Sequence, residues 1–155
     1  KTLEPGEVVR VDTGATFKGY RSDVARTAVV GDPSREQRAL YRRLREVELE
    51  TISRVRAGSK ASGVYEAFVT AFQRRGLSVT SQAVGHGLGT GLHEYPILNG
   101  KEGAELTPGM VLCIEPAVLD SSGFLYHVED LVLVTEGEPR ILTGHMNADD
   151  LFVIA

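Results

Sequence analysis

This 155-residue chain has no tryptophan, one cysteine, and only 6% aromatic residues. A single cysteine excludes an intrachain disulfide. Cys113 lies in the apolar run 110-MVLCI-114 and reads as a buried, inert thiol, which fits a reducing, cytoplasmic setting. Long hydrophobic runs are also missing. The longest are a few residues, such as 131-LVLV-134, so no segment is apolar enough to form a spanning helix, and no membrane partner is expected. No signal-peptide pattern opens the sequence. Nor is there an excess of positive charge, since 17 basic residues face 21 acidic ones for a net charge of −4. The basic clusters 42-RRLRE-46 and 54-RVR-56 are interleaved with glutamates, which reads as a solvated helix face and not as a nucleic-acid stripe. Repeats, linkers and low-complexity blocks are absent as well. What remains is an ordinary globular composition, 42% hydrophobic and 25% charged, of a length that suits one domain with a real core.

The local patterns give strands, then two helices, then strands. Residues 7–14 and 20–31 read as a hairpin turning near Phe17-Lys18-Gly19. Ser34 and Gln37 have capping-box spacing, and Leu40, Tyr41, Leu44, Val47, Ile52 and Val55 follow a helical period that Gly58 ends. A second helix is expected over 62–75, with Val64, Phe68 and Phe72 four apart and Gly76 closing it. Residues 77–84 read as a strand and 99–109 as a polar loop. Strands at 110–119 and 124–135 flank the turn Ser121-Ser122-Gly123, and a short strand at 139–143 precedes a polar tail. Hairpins outnumber parallel crossovers, so the fold class is α+β.

Acid stands where these strands are otherwise apolar: Asp12, Asp23, Glu115 and Glu129. Side chains along a strand alternate faces. A two-residue turn in the first hairpin puts Asp12 and Asp23 on one face as opposite or diagonal neighbours. A three-residue turn at 121–123 puts Glu115 opposite Glu129. Facing carboxylates in apolar strands repel and lose solvation unless positive charge lies between them, a requirement that a pair of divalent cations meets. The alternative is that each acid lies on the solvent face of a one-sided sheet.

The stretch 85-GHGLGTGLHEYP-96 sharpens the choice. Its glycines alternate, no register gives G-x-G-x-x-G, and His-Glu-Tyr-Pro does not open a helix, so it is no phosphate loop. Alternating glycines instead let backbone pass close to something bulky, or let His86 and His93 project from a constrained strand. Two histidines beside four strand carboxylates point to metal ligation.

The motifs Asp12-Thr13-Gly14, Ser22-Asp23-x-x-Arg26-Thr27, Gly85-His86-Gly87, His93-Glu94-x-Pro96, Pro108-Gly109-Met110, Ile114-Glu115-Pro116 and Glu129-Asp130 appear in order along nearly the whole chain. Together they resemble the pita-bread metallopeptidases, the group of methionine aminopeptidase, aminopeptidase P and Xaa-Pro dipeptidase (prolidase). The resemblance implies a curved antiparallel sheet backed by helices. It implies a dinuclear site with Asp12, Asp23, His86, Glu115 and Glu129 as ligands. It further implies that Glu115 acts as the catalytic proton shuttle and His93 as a catalytic and substrate-contacting group. An oxygen-rich set of four carboxylates and one imidazole suits Mn²⁺ or Co²⁺, with Zn²⁺ or Fe²⁺ open. The implied reaction is hydrolysis of the N-terminal Xaa-Pro bond, or a similar one, of a short peptide substrate by a metal-bridging hydroxide. A homodimeric parent is also implied. Glu115 and Glu129 lie fourteen residues apart on one short hairpin, and with 128-VEDLVLVT-135 and 92-LHEYP-96 this favours the Xaa-Pro branch. A methionine aminopeptidase-like enzyme, a non-peptide amide hydrolase and a non-catalytic peptide- or protein-binding module are the alternatives.

Two residues depart from that branch. His127 stands where arginine is usual, two before the last glutamate, and reads either as a substrate-binding side chain or as a partly exposed strand histidine. Ala117 stands where glycine is frequent. The family also carries a substrate-contacting histidine upstream of its first aspartate, whereas none of the eleven residues before Asp12 is histidine. Residues 1–155 are therefore expected to be the later, C-terminal part of a single metallopeptidase catalytic domain, N-terminally incomplete and weakly active or inactive alone.

Overall fold

The structure, a computed structural model, describes residues 1–155. The first hairpin pairs β1 (Val8–Thr13) with β4 (Val24–Val30) antiparallel, Asp12 opposite Ala25 and Thr13 opposite Val24. Its tip is a small ladder of β2 (Thr16–Phe17) with β3 (Tyr20–Arg21), and Phe17 pairs with Tyr20. Lys18 and Gly19 form the two-residue turn, both with positive φ, 49° and 87°. That is the primed-turn geometry whose twist matches its flanking strands. The same register runs through both ladders, so Asp12 and Asp23 are diagonal neighbours on one face, as an even turn requires.

The expected strand 20–31 is broken at Ser22-Asp23. There Ser22 donates its backbone N–H to Ala15 O and accepts from Ala15 N through Oγ. Gly14 makes this pinch possible, since a Cβ on it would stand 1.9 Å from Ser22 O.

α1 (Arg35–Ile52) starts at the expected capping box. Ser34 Oγ accepts from Gln37 N, and Gln37 Oε1 accepts from Ser34 N. It ends six residues before Gly58, because Arg54 and Val55 donate to Thr51 O and Ile52 O in tighter turns that close the last helical turn. α2 (Ala61–Arg74) buries Val64, Phe68 and Phe72 on one stripe. Both helices cover one side of a five-stranded sheet and share its 25-residue core with Leu112, Ile114, Tyr126 and Val132. That sheet runs β11 (Arg140–Ile141), β10 (Asp130–Leu133), β7 (Val111–Ile114), β5 (Ala83–Gly87), β6 (Glu94–Asn99).

Several expectations are corrected. Residues 77–82 are not strand; the glycine segment itself supplies β5. β6 was hidden by Pro96, which is tolerated because β6 is an edge strand. The tail contributes β12 (Phe152–Ile154), parallel to β4. Arg45 and Glu48 of the supposedly solvated α1 face turn inward, with side chains 11% and 0% exposed.

The late hairpin keeps the three-residue turn at 121–123, with Asp120 N donating to Phe124 O. It splits in its middle, however. β8 (Ala117–Leu119) pairs with β9 (Leu125–His127), while β7 pairs with β10 in the same register. At the split Glu115 N turns to Val84 O, Glu129 N turns to Ala25 O, and Ala25 bridges Glu129 to join the two larger sheets. Glu115 and Glu129 thus remain opposite one another, each at the point where its strand leaves one partner for another.

Candidate metal centre

Both hairpin breaks open onto one cleft of about 400 Å³, lined by Asp12, Gly14, Ser22, Asp23, His86, His93, Glu115 and Glu129 among others. Alternation along the strands explains the grouping. On β7 the side chains of Leu112 and Ile114 enter the helix-covered core, so Cys113 and Glu115 face the other way. His86 on β5 lies opposite Cys113. The two strands approach closely because residue 85 is glycine; a Cβ there would stand 1.9 Å from Cys113 O. The glycine segment then folds over the rim, with Gly91 N donating to Glu94 Oε1 and Arg21 N to Gly89 O.

Ligating atoms of Asp23, His86, Cys113 and Glu129 all lie within 4.8 Å of one another. Asp12 and Glu115 stand beside this group in the same cleft. His86 Nε2 is 3.5 Å from Glu115 Oε1. His86 Nδ1 is 2.9 Å from Gly87 O. A carbonyl only accepts, so Nδ1 carries the proton and Nε2 presents a lone pair to the cleft. His93 lines the cleft with its ring 4.1 Å from that of His86.

His127 is buried, 2% exposed, and so is not the partly exposed strand histidine of the sequence reading. The cross-strand hydroxyl of Thr27 fixes its backbone, accepting from His127 N and donating to His127 O. Its imidazole stands between Asp12 and Glu115, 3.9 Å and 3.7 Å away, and Nδ1 has no hydrogen-bond partner. Cys113 is the member of the group that sequence reasoning passed over. The sign of it was available, since it lies two residues before Glu115 and so on the same strand face.

The electrostatics are one-sided. Two carboxylates 4 Å apart repel by roughly 4 kcal/mol at an effective dielectric of 20. The counter-charges are two exposed arginines, Arg10, 3.8 Å from Asp12, and Arg21, which lines the cleft. Burial first, then Asp12 and Asp23, push the Glu115 carboxyl up to about 7. Burial, Asp23, Glu115 and Asp12 push Glu129 up to about 8. Asp23 is raised by burial and by Asp12. Burial lowers His86 and takes His127 down to about 4, keeping both imidazoles neutral at pH 7. Burial, with Glu129 and Asp23 next, raises the Cys113 thiol. Asp12 departs from the expectation of acid inside apolar strands: β1 is an edge strand and Asp12 is exposed. Neutral imidazole nitrogen, crowded carboxylates and an orphaned buried Nδ1 form a donor set with no internal cation to match it. The set fits divalent metal.

The sequence profile of metallopeptidase family M24 matches residues 1–136. The chain is 31% identical to the Xaa-Pro dipeptidase of Pyrococcus furiosus over 92% of its own length and 41% of that protein's. It is 32% identical to methionine aminopeptidase 1 of Bacillus subtilis over 84% of its length and 54% of that protein's. The crystal structure of dipeptidase PepE from Mycobacterium ulcerans superposes on 99% of the chain with a TM-score of 0.91, at 31% identity and 42% coverage of that chain. The chain thus spans about two fifths of the dipeptidases it resembles.

Proposed function

The chain belongs to metallopeptidase family M24 and has its pita-bread fold, and from that membership we propose that it carries the dinuclear metal centre of an exopeptidase acting on N-terminal Xaa-Pro or similar bonds. The observation that carries this reading is the convergence of Asp23, His86 and Glu129 ligating atoms, with Asp12 and Glu115 beside them, in a cleft whose negative charge has no internal counterpart. Asp12, Asp23, His86, Glu115 and Glu129 would hold two divalent ions, Mn²⁺ or Co²⁺ before Zn²⁺ or Fe²⁺. Once bound, such ions supply an acidified water and a polarised scissile carbonyl.

The other steps belong to the chain's own side chains. Glu115 lines the cleft beside His86 and is placed to take a proton from the attacking water and pass it to the leaving amine. His93 lines the cleft beside His86 and is placed to donate to the developing oxyanion. His127 lies buried 3.9 Å from Asp12 and 3.7 Å from Glu115, too far to hydrogen-bond to either, and its substrate-binding role is kept as the weaker part of the reading. The acid-lined cleft pairs with the free α-amine that an exopeptidase must recognise. The Xaa-Pro preference rests on the short spacing of the two glutamates; relatives of both branches match at similar identity. Residues 1–155 are taken as part of a single catalytic domain within a homodimeric cytoplasmic protein.

Titration with Mn²⁺ and Co²⁺, read by calorimetry, tests the proposal. Two ions per chain are expected, and in the full-length parent so is loss of Xaa-Pro dipeptide hydrolysis in Glu115→Gln. His93→Ala should lower turnover while leaving metal uptake intact, whereas His86→Ala should lose metal. Absence of uptake under metal-replete conditions would favour the peptide- or protein-binding module.

A further inference from the structure

The five residues that the family resemblance assigns do not exhaust the donors in the cleft. Cys113 Sγ lies within 4.8 Å of ligating atoms of Asp23, His86 and Glu129, contributed by three separate stretches of chain. Metal–sulfur and metal–oxygen bonds of about 2.3 and 2.1 Å allow donors on opposite sides of one ion to be about 4.4 Å apart, so four such atoms need only a slight contraction to share an ion. The thiol is fully buried at the end of a strand face that also presents Glu115, and it has His86 directly across the ladder. His86 in the cleft and His127, which approaches the cleft residues Asp12 and Glu115 without lining the cleft, are likewise built for something the chain does not itself supply. His86 points a bare Nε2 inward while its Nδ1 is held by Gly87 O. His127, 2% exposed, turns an unpartnered Nδ1 towards Asp12.

We infer that Cys113 is a sulfur ligand to the ion shared by Asp23, His86 and Glu129, giving one of the two metal positions a mixed nitrogen, oxygen and sulfur coordination. This rests on the dinuclear reading and deepens it. On binding, the thiol loses its proton to solvent and coordinates as thiolate; no other bond is made or broken. The two positions then differ in softness. The one with Cys113 takes a thiophilic ion such as Zn²⁺ or Co²⁺ in preference to Mn²⁺, and the one nearer Asp12, lined by carboxylates, keeps the oxygen preference.

Cobalt titration of the unaltered 155-residue chain decides the matter spectroscopically, without activity as the readout. A near-ultraviolet thiolate-to-cobalt charge-transfer band should grow in with the first equivalents, alongside the visible ligand-field bands. Cys113→Ser should lose the charge-transfer band but keep ligand-field absorption. Its Zn²⁺ affinity should fall by at least about tenfold, with Mn²⁺ affinity little changed. Cys113→Ala, which leaves no polar atom in the small packing cluster with Leu88 and Leu131, should behave in the same way. Ligand-field bands without a charge-transfer band in the unaltered chain would overturn the sulfur ligand and leave the metal centre standing. No cobalt uptake at all would overturn both.

Discussion

Glu129 and Asp130 are adjacent in sequence and both buried, 1% and 0% exposed, yet the fold treats them oppositely. Strand alternation sends them to different sides of β10. Asp130 meets Arg26 Nη2 and Arg45 Nη1, each at 2.7 Å, and Thr143 Oγ1 donates to it at 2.7 Å. Burial works against its ionised form, but Thr143, Arg26 and Arg45 outweigh it and hold the carboxyl below the usual range. Glu129 meets Asp23, Glu115 and Asp12 and is driven up to about 8. Arg26 serves both, since it also donates through Nη1 to Glu129 O and Ala25 O, fixing the backbone from which Glu129 projects. One buried acid has its cation inside the fold and acts as a structural post. The other is held in place beside it with no cationic side chain against it. A buried carboxylate alone is therefore no sign of a metal site; a buried carboxylate whose neighbours are other carboxylates and neutral imidazoles is one.

Like substitutions at the two positions should have opposite consequences. The largest effect is expected from Asp130→Asn, which strands the Arg26 charge beneath α1 and leaves Arg45 only Glu48 and Asp149. It should cost about 3–5 kcal/mol in urea denaturation, enough to unfold a marginal domain. Glu129→Gln should instead stabilise the metal-free chain at pH 8 by on the order of 2 kcal/mol, because it removes an unpaired buried charge, while abolishing the stabilisation gained from Mn²⁺ or Co²⁺. Equal losses at both positions would erase the distinction drawn here.

A pH series taken with and without metal separates the clusters without mutation, because Glu48, against Arg45, is also raised to about 8, by burial first and then by Asp130, and its share of the alkaline loss should not respond to metal. Glu115 and Glu129 have folded values of about 7 and 8, above their ordinary 4.5, so the folded metal-free chain binds more protons than the unfolded one. Their contribution is present at pH 4–5 and lost as pH rises through 7 and 8. The Tm of the metal-free chain should fall over that interval by on the order of 5 °C, and saturating Mn²⁺ should remove the part of the fall that comes from the cleft. A Tm that stays level between pH 5 and 8 without metal would mean that the cleft acids are already compensated.

The difference between the two acids was only half legible in the sequence. Turn length and strand period were enough to place Asp12 with Asp23 and Glu115 with Glu129, because a hairpin's register follows from its turn and every later residue inherits it. The capping box at Ser34 and the stripe Val64, Phe68, Phe72 were equally local, and equally readable. What failed was non-local. Nothing near Arg45 shows that it leaves the polar face of α1 to meet Asp130, 85 residues away. Nothing near Pro96 shows that its strand is an edge. His127 read as half-exposed because period two says which side a residue faces and not how deeply that side is covered. Cys113 was passed over for a different reason. Its apolar neighbours suggest core, and both neighbours point into that core, while Cys113 itself faces the acids.

The smallest predicted effect tests whether the structural acid is held by charge alone. Thr143 Oγ1 accepts from Leu131 N at 3.1 Å and donates to Asp130 Oδ1. Thr143→Val keeps the shape, removes the donor and leaves both arginines. The stability loss should be only about 1 kcal/mol. The more telling change lies in acid. Asp130 titrates below its ordinary 3.8 in the folded chain, so its contribution is present above that value and lost as pH falls through the lowered one. Without Thr143 the lowering shrinks, so less stability is left to lose in acid, while the loss on the alkaline side is unchanged, because Thr143 does not touch the cleft. A variant whose metal-responsive alkaline limb moves as well would show that Asp130 and Glu129 titrate as one cluster, whereas a shift that metal does not touch would come from Glu48, which shares Arg45 with Asp130.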